Sequence, residues 1–188
     1  MSVLIQVDAA ALREVEQRLG QFANRAPNAV VNALNRATTN TASNITKETR
    51  AKYHLKPADI KATLKITKAS KSVLAAEVRS SGKAIPLDRF KVTPKTENPK
   101  RKSQLKIAVK KDGMKQVVGA FVANLHGIKL FKRETTKRLP IARLFGPSIP
   151  QMIGNEKTVR KINEQSWITY ETRLNHEINR ILGQLGAS

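Results

Sequence analysis

Three side chains could exchange a proton near neutral pH: His54, His126 and His176. They lie far apart in the sequence, without metal-ligand spacing, and each reads as a surface or interface residue. Asp59, Asp88 and Asp112 are equally scattered. They read as a cap, a strand-edge charge and a turn residue rather than as an acid–base pair. Gly82-Lys83 resembles the end of a phosphate-binding loop, but Ala84 stands where Ser or Thr is needed and Glu77 where the first glycine belongs. In Gly146-Pro147-Ser148-Ile149-Pro150 a proline replaces the second glycine of a nucleophile elbow. The chain has no cysteine, which removes disulfides, thiolate chemistry and the usual zinc ligands. No catalytic residue, cofactor or metal site is therefore expected, and the protein is not expected to be an enzyme.

The strong chemical signal is charge. The net charge is +21, and residues 31–154 hold 27 Lys and Arg against seven Asp and Glu. The two ends are close to neutral. A field of this strength favours an anionic partner, either nucleic acid or an acidic protein surface, and opposes self-association unless an anion intervenes. Lys95, Lys100, Arg101, Lys102, Lys106, Lys110, Lys111 and Lys115 are the candidate contacts to DNA or to an acidic partner. Lys106 and Lys110 are expected on one face of a strand. Such cations could neutralise phosphates without reading bases, or could form a solvated face that keeps strand edges from pairing. Aromatics make up 4% of the chain, too few for a base-stacking platform.

The elements that must position these groups follow from periodicity. Val3–Val7 predicts a strand and Asp8 a helix cap. Ala9, Leu12, Val15, Leu19 and Phe22 predict an amphipathic helix, and residues 27–52 a longer one with Ala29, Ala33, Ala37 and Ile45 on one face. The Thr and Asn run of that helix needs support from packing. A short helix is expected after Pro57, then strands at "ATLKITKA" and "VLAAEVRSS", and a mobile loop at 94–102. Leu105–Lys110 and Val117–Val122 predict a hairpin turning at Asp112-Gly113, with the return strand apolar on both faces and hence central. "IKLFKRET" and "LPIARLF" predict another strand pair. Asn155 caps a final helix, Glu156–Leu182, whose stripe runs through Val159, Ile162, Ser166, Tyr170, Leu174, Ile178 and Leu185, widened by Trp167 and Ile168. The expected fold is α+β: an antiparallel β-sheet packed by two N-terminal helices and a long C-terminal helix. It is expected as a single domain over 1–188, with a basic β-rich middle at about 63–145. No apolar run is long enough to span a bilayer, and the N-terminus lacks the pattern of a signal peptide, so the cytoplasm is the default compartment.

One apolar segment stands out in this basic chain. Leu139–Gly154, "LPIARLFGPSIPQMIG", holds three prolines and a single charge, Arg143. It predicts a last strand over Leu139–Phe145 and a rigid corner at Gly146–Pro150, anchored by Ile149, Met152 and Ile153. Arg138, Leu139, Pro140, Ile141, Gly146, Pro147, Ser148, Ile149, Pro150, Gln151 and Met152 form a candidate structural or docking segment.

Here the chain resembles a known family. "GAFVA" at 119–123, "LFKRETTKRLPIARLFGPSIPQM" at 130–152 and "VNALNRATTNTASNITKETR" at 31–50 are similar to the patterns of the minor tail protein Z family of tailed bacteriophages and prophages. The resemblance covers roughly residues 27–182. It implies a virion structural protein that completes the head-proximal end of the tail and helps tail–head joining. It also implies ring-forming docking, most simply as a hexamer, with the tail terminator, the tail tube and the head–tail connector as partners and the viral DNA end in the channel. Its place would be the virion tail, after assembly in the host cytoplasm. The competing reading is a sequence-nonspecific nucleic-acid-binding protein.

Overall fold

The computed structural model describes residues 2–183. It is α+β, and the chain divides into two compact units. Of the described residues, 2–45, 64–81 and 154–183 form the first unit, and 46–63 with 82–153 the second.

The first unit holds a three-stranded antiparallel sheet. β3 (Ala75–Ser80) lies between β1 (Ser2–Gln6) and β2 (Leu64–Thr67). β1 alternates, with Val3 and Ile5 buried and Leu4 exposed, so one face meets the core. Asp8 caps α1 (Ala9–Leu19), its carboxylate accepting from the Ala11 N–H at 2.8 Å. Gly20, at φ 54°, ends the helix in a conformation that favours glycine.

α2 (Ala26–Lys52) contributes residues 26–45 to this unit. Ala26, Ala29, Ala33 and Ala37 are all buried, and their small side chains let other elements approach the helix closely. The unfavourable Thr run is supported by packing, with Thr38 and Thr41 buried, and its hydroxyls are satisfied on the helix itself. Thr38 donates to the Leu34 carbonyl (2.7 Å), Thr39 to Asn35 (2.9 Å) and Thr41 to Ala37 (2.9 Å). α5 (Glu156–Gly183) pairs with this part of α2. The Thr41 and Ser166 hydroxyls lie 2.6 Å apart in the buried seam, and Asn40 donates to Thr169 at 2.9 Å. Asn35 fastens the segment before β3 by accepting from the Ala69 N–H (2.8 Å) and donating to the Ala69 carbonyl (3.2 Å). Leu19, Leu34 and Ile178 are fully buried in the common core, each contributing about 1.5–3 kcal/mol.

α5 buries Thr158, Ile162, Ser166, Tyr170, Leu174, Ile178 and Ile181. Asn155 caps it, accepting from the Lys157 N–H at 3.1 Å. One expectation for this helix changes. Trp167 and Ile168 do not widen the buried stripe; they are 41% and 61% exposed. The i, i+4 stripe drifts around the helix, which leaves their face outside the α2 seam. Leu185 lies outside the described residues.

The second unit holds two further three-stranded antiparallel sheets instead of a continuation of one sheet. In one, β5 (Leu105–Ala108) is flanked by β4 (Lys91–Thr93) and β6 (Lys115–Val117). In the other, β8 (Ile128–Arg133) is flanked by β7 (Ala120–Asn124) and β9 (Ile141–Arg143). The expected central strand over 117–122 is therefore two edge strands in different sheets. Val117 pairs with Leu105, while Ala120 pairs with Lys132. Gly119, at φ 74°, turns the chain between them and leaves Val118 67% exposed. Asp112-Gly113 does lie in the turn region between β5 and β6. α3 (Pro57–Lys61) and α4 (Ile149–Ile153) complete the unit.

Candidate functional site

The second unit concentrates the charge. Its two stretches carry 22 Lys and Arg against six Asp and Glu, a net +16, whereas the rest of the chain carries 13 against eight. The cations proposed from the sequence occupy separate places in it. Lys95 follows β4 and donates to the Asp88 carbonyl at 3.1 Å. Arg101 is folded back onto Thr96, and the Lys100 N–H meets the Asn98 carboxamide oxygen at 3.0 Å. Lys102 is exposed beyond them.

Lys106 alone of this group stands on β5, opposite Thr93 and Gln116. Lys110 is not on its face, because the strand ends at Ala108. The chain there pairs instead with the end of α2: the His54 N–H donates to the Val109 carbonyl (3.0 Å) and the Lys111 N–H to the Lys52 carbonyl (2.9 Å). Lys110 and Lys115 flank a depression of about 500 Å³ lined by Tyr53, Leu87, Ile107, Val109, Val117 and Pro147.

A different set converges more closely. Lys56, Arg89, Lys95, His126, Lys129 and Arg143 line a hollow of about 480 Å³ together with Asp59 and Asp88. One Arg143 guanidinium nitrogen donates to both Asp88 oxygens, at 2.9 and 3.2 Å, and Arg89 meets Asp59 at 3.3 Å. The Asp88 side chain is only 10% exposed, so its pairing with Arg143 fixes the floor of the hollow. Arg143 Nε and Asp59 Oδ2 are buried without hydrogen-bond partners. Each carboxylate thus meets one guanidinium group, Asp88 through both oxygens and Asp59 through Oδ1 alone. The arrangement can hold an anion; it offers no nucleophile with an adjacent base. Only Lys95 of this set was among the charged candidates read from the sequence. Lys56 and Arg143 are 87 positions apart, and no local motif joins them.

The proline-rich segment has a definite local role. Arg138, Leu139 and Pro140 are exposed ahead of β9, where Ile141 is half-buried and pairs with Arg133. The last strand is shorter than expected and ends at Arg143. The chain then stays tied to the 85–87 segment: Leu87 N–H donates to the Leu144 carbonyl (3.0 Å), and Gly146 N–H to Ile85 (2.7 Å). A Cβ on Gly146 would lie 2.9 Å from Phe90 Cε2, so the corner needs glycine there.

The Gln151 side chain reaches back to Ser148 at the start of α4 and accepts both of its bonds. The Ser148 N–H and hydroxyl donate to Gln151 Oε1 at 2.9 and 3.1 Å. Pro150 sits in the first turn of α4, where its missing N–H costs no helix bond. Ile149, Met152 and Ile153 are buried. The Ser-x-x-Gln spacing is a cap signal legible in the sequence, set within an apolar run that masks it.

A second surface belongs to the first unit. Val159, Asn163, Trp167 and Ile168 of α5, with Glu156, Arg160 and Glu164 around them, line a shallow depression of about 770 Å³. Among the described residues no group of His, Cys, Asp and Glu could hold a metal ion, and no helix is long and apolar enough to cross a membrane.

No curated protein and no solved structure matches the chain. The family model described as prophage minor tail protein Z (GPZ) matches residues 11–185, nearly the whole chain, with both the first long helix and the Gly146–Met152 motif inside the match. The chain belongs to the prophage minor tail protein Z family, and is thus a structural protein of a phage tail that interacts with other phage structural proteins.

Proposed function

We propose that the protein completes the head-proximal end of the tail and makes it competent to join a filled head. It acts by docking, as a ring of identical copies and most simply a hexamer, against the tail terminator, the tail tube and the head–tail connector. Its channel would receive the viral DNA end. The observation that carries this reading is the family match over residues 11–185. The molecule's surface chemistry supports it. Docking needs exposed apolar groups, and Trp167, Ile168, Leu139 and Phe145 are 41%, 61%, 64% and 52% exposed. The cations converge without a catalytic pair, which suits binding rather than turnover.

The test is genetic. Deleting the gene is expected to leave filled heads and near-complete tails, visible by electron microscopy, that yield no infectious particles. Wild-type plaque numbers from the deletion would sink the reading, and tails arrested before tube assembly would move the protein to a different step.

A further inference from the structure

We propose that the hollow lined by Lys56, Arg89, Lys95, His126, Lys129 and Arg143 binds backbone phosphates of duplex DNA. The inference extends the tail reading. Its test needs only purified protein, so it can fail while the tail reading stands, and the reverse.

The argument starts from charge. Five Lys and Arg side chains line the hollow against two carboxylates, each of which meets an arginine, so the lining keeps a net positive charge carried by Lys56, Lys95 and Lys129. Lys95 reaches only a carbonyl, that of Asp88, at 3.1 Å. Crowded cations repel, and an anion among them removes that cost. Arg143 Nε adds a desolvated donor with no acceptor. His126 stands at the rim with φ 52°, uncommon for a residue other than glycine. Its turn is pinned by Gly127 N–H donating to Asn124 Oδ1 at 3.1 Å.

Shape then selects the anion. Lys56 and Arg89 also line a neighbouring hollow of about 340 Å³ with Arg50, Lys91 and Lys111. Two adjoining cationic hollows that share residues suit a polyanion with regularly repeating charges better than a single acidic side chain. No Phe, Tyr or Trp lines the first hollow, so it offers phosphate contact without base stacking.

The experiment measures binding of the full chain to a fluorescent duplex by polarisation across a salt series. The variant Lys56→Gln/Lys129→Gln is compared with Lys83→Gln/Lys137→Gln, which removes the same charge outside the hollow. The first is expected to weaken binding about tenfold at low salt and to flatten the log–log salt slope by about two, the second to change affinity by less than about threefold. Lys56→Arg/Lys129→Arg should bind as the wild type does. Equal losses in the two Gln variants would show a diffuse field and overturn the site. Polyglutamate displacing the duplex as well as unlabelled DNA does would assign the hollow to an acidic protein and overturn it as well. Inorganic phosphate that protects Lys129 of the wild-type chain from acetylation, where DNA does not, would make it a free-anion site and equally overturn the proposal. Protection of Lys129 by DNA supports it independently of any variant.

Discussion

Tyr170 shows how one residue on a readable stripe acquires properties that the stripe does not announce. Its place on the buried face of the last helix follows from periodicity. Its titration does not, because burial comes first among the causes that push its pKa from 10.0 up to about 12, and the charges of Glu14 and Glu171 add to it. Glu14 belongs to α1, far away in sequence. The sign follows from linkage. The folded chain holds this proton more tightly than the unfolded chain, so the associated stability is complete below pH 10 and is lost as pH rises toward about 12. On the acid side Glu177 behaves oppositely. Its burial pushes the carboxyl up, but hydrogen bonds from Arg180 (2.8 Å) and Asn32 (3.3 Å), with the nearby positive charges, hold it below 4.5. Its contribution is present above the unfolded pKa and disappears as pH falls through the folded one. Denaturant midpoints measured against pH should therefore fall between about pH 10 and 12 in the wild type and fall less in Tyr170→Phe. Identical alkaline profiles would show that the phenol is not the group responsible.

At the scale of elements, local signals are legible and the partners of the strand run after Asp112-Gly113 are not. Asp8 and Asn155 as caps, the start and end of α2, and the β8–β9 pair could all be read from side-chain chemistry and period. The run Val117–Val122 could not, because alternation reports burial and carries no label for the partner strand. Only the turn at Gly119 separates β6 from β7. The corner before α4 was legible as a corner, while its mechanism was hidden. Gly146 is there because Phe90 and Leu87 close over it, and Ser148 with Gln151 satisfies the helix start. Gly146→Ala places a Cβ against the Phe90 ring at 2.9 Å and Leu87 Cδ2 at 3.1 Å. It is expected to cost about 1–3 kcal/mol by overpacking. Gln151→Ala removes the acceptor of both Ser148 bonds and is expected to cost about 1 kcal/mol. Chemical denaturation measures both. A Gly146→Ala protein as stable as the wild type would mean that Phe90 and Leu87 move aside freely, and that the glycine answers to something other than packing.

For the whole molecule, the charge of residues 31–154 is plain in the sequence, whereas the two compact units draw on stretches that lie apart in it. The first unit is assembled from three separated stretches, so a boundary search along the chain meets basic residues 64–81 between parts of the second unit. The same assembly explains the misread face of α5. A helix with a partner on one side shows an apolar stripe, and a helix with a second partner still to come shows a wider one; periodicity does not distinguish them. Trp167 packs edge-on to Tyr170 with ring centroids 5.6 Å apart yet remains 41% exposed, and Ile168 beside it makes the face apolar. Intramolecular stability gains little from these exposed atoms. Trp167→Ser/Ile168→Ser, which also loses the ring contact with Tyr170, is expected to cost about 1–3 kcal/mol of folding stability and to leave the chain folded. If the face docks another tail subunit, the same variant should fail to enter particles and should lower infectious yield by orders of magnitude. Because Trp167 is the only tryptophan in the chain, docking of the wild type should also shift its emission to shorter wavelength. Normal yield from a stably folded double variant would remove α5 from the proposed docking surface and turn attention to other exposed apolar residues, Leu139 and Phe145 of the second unit among them.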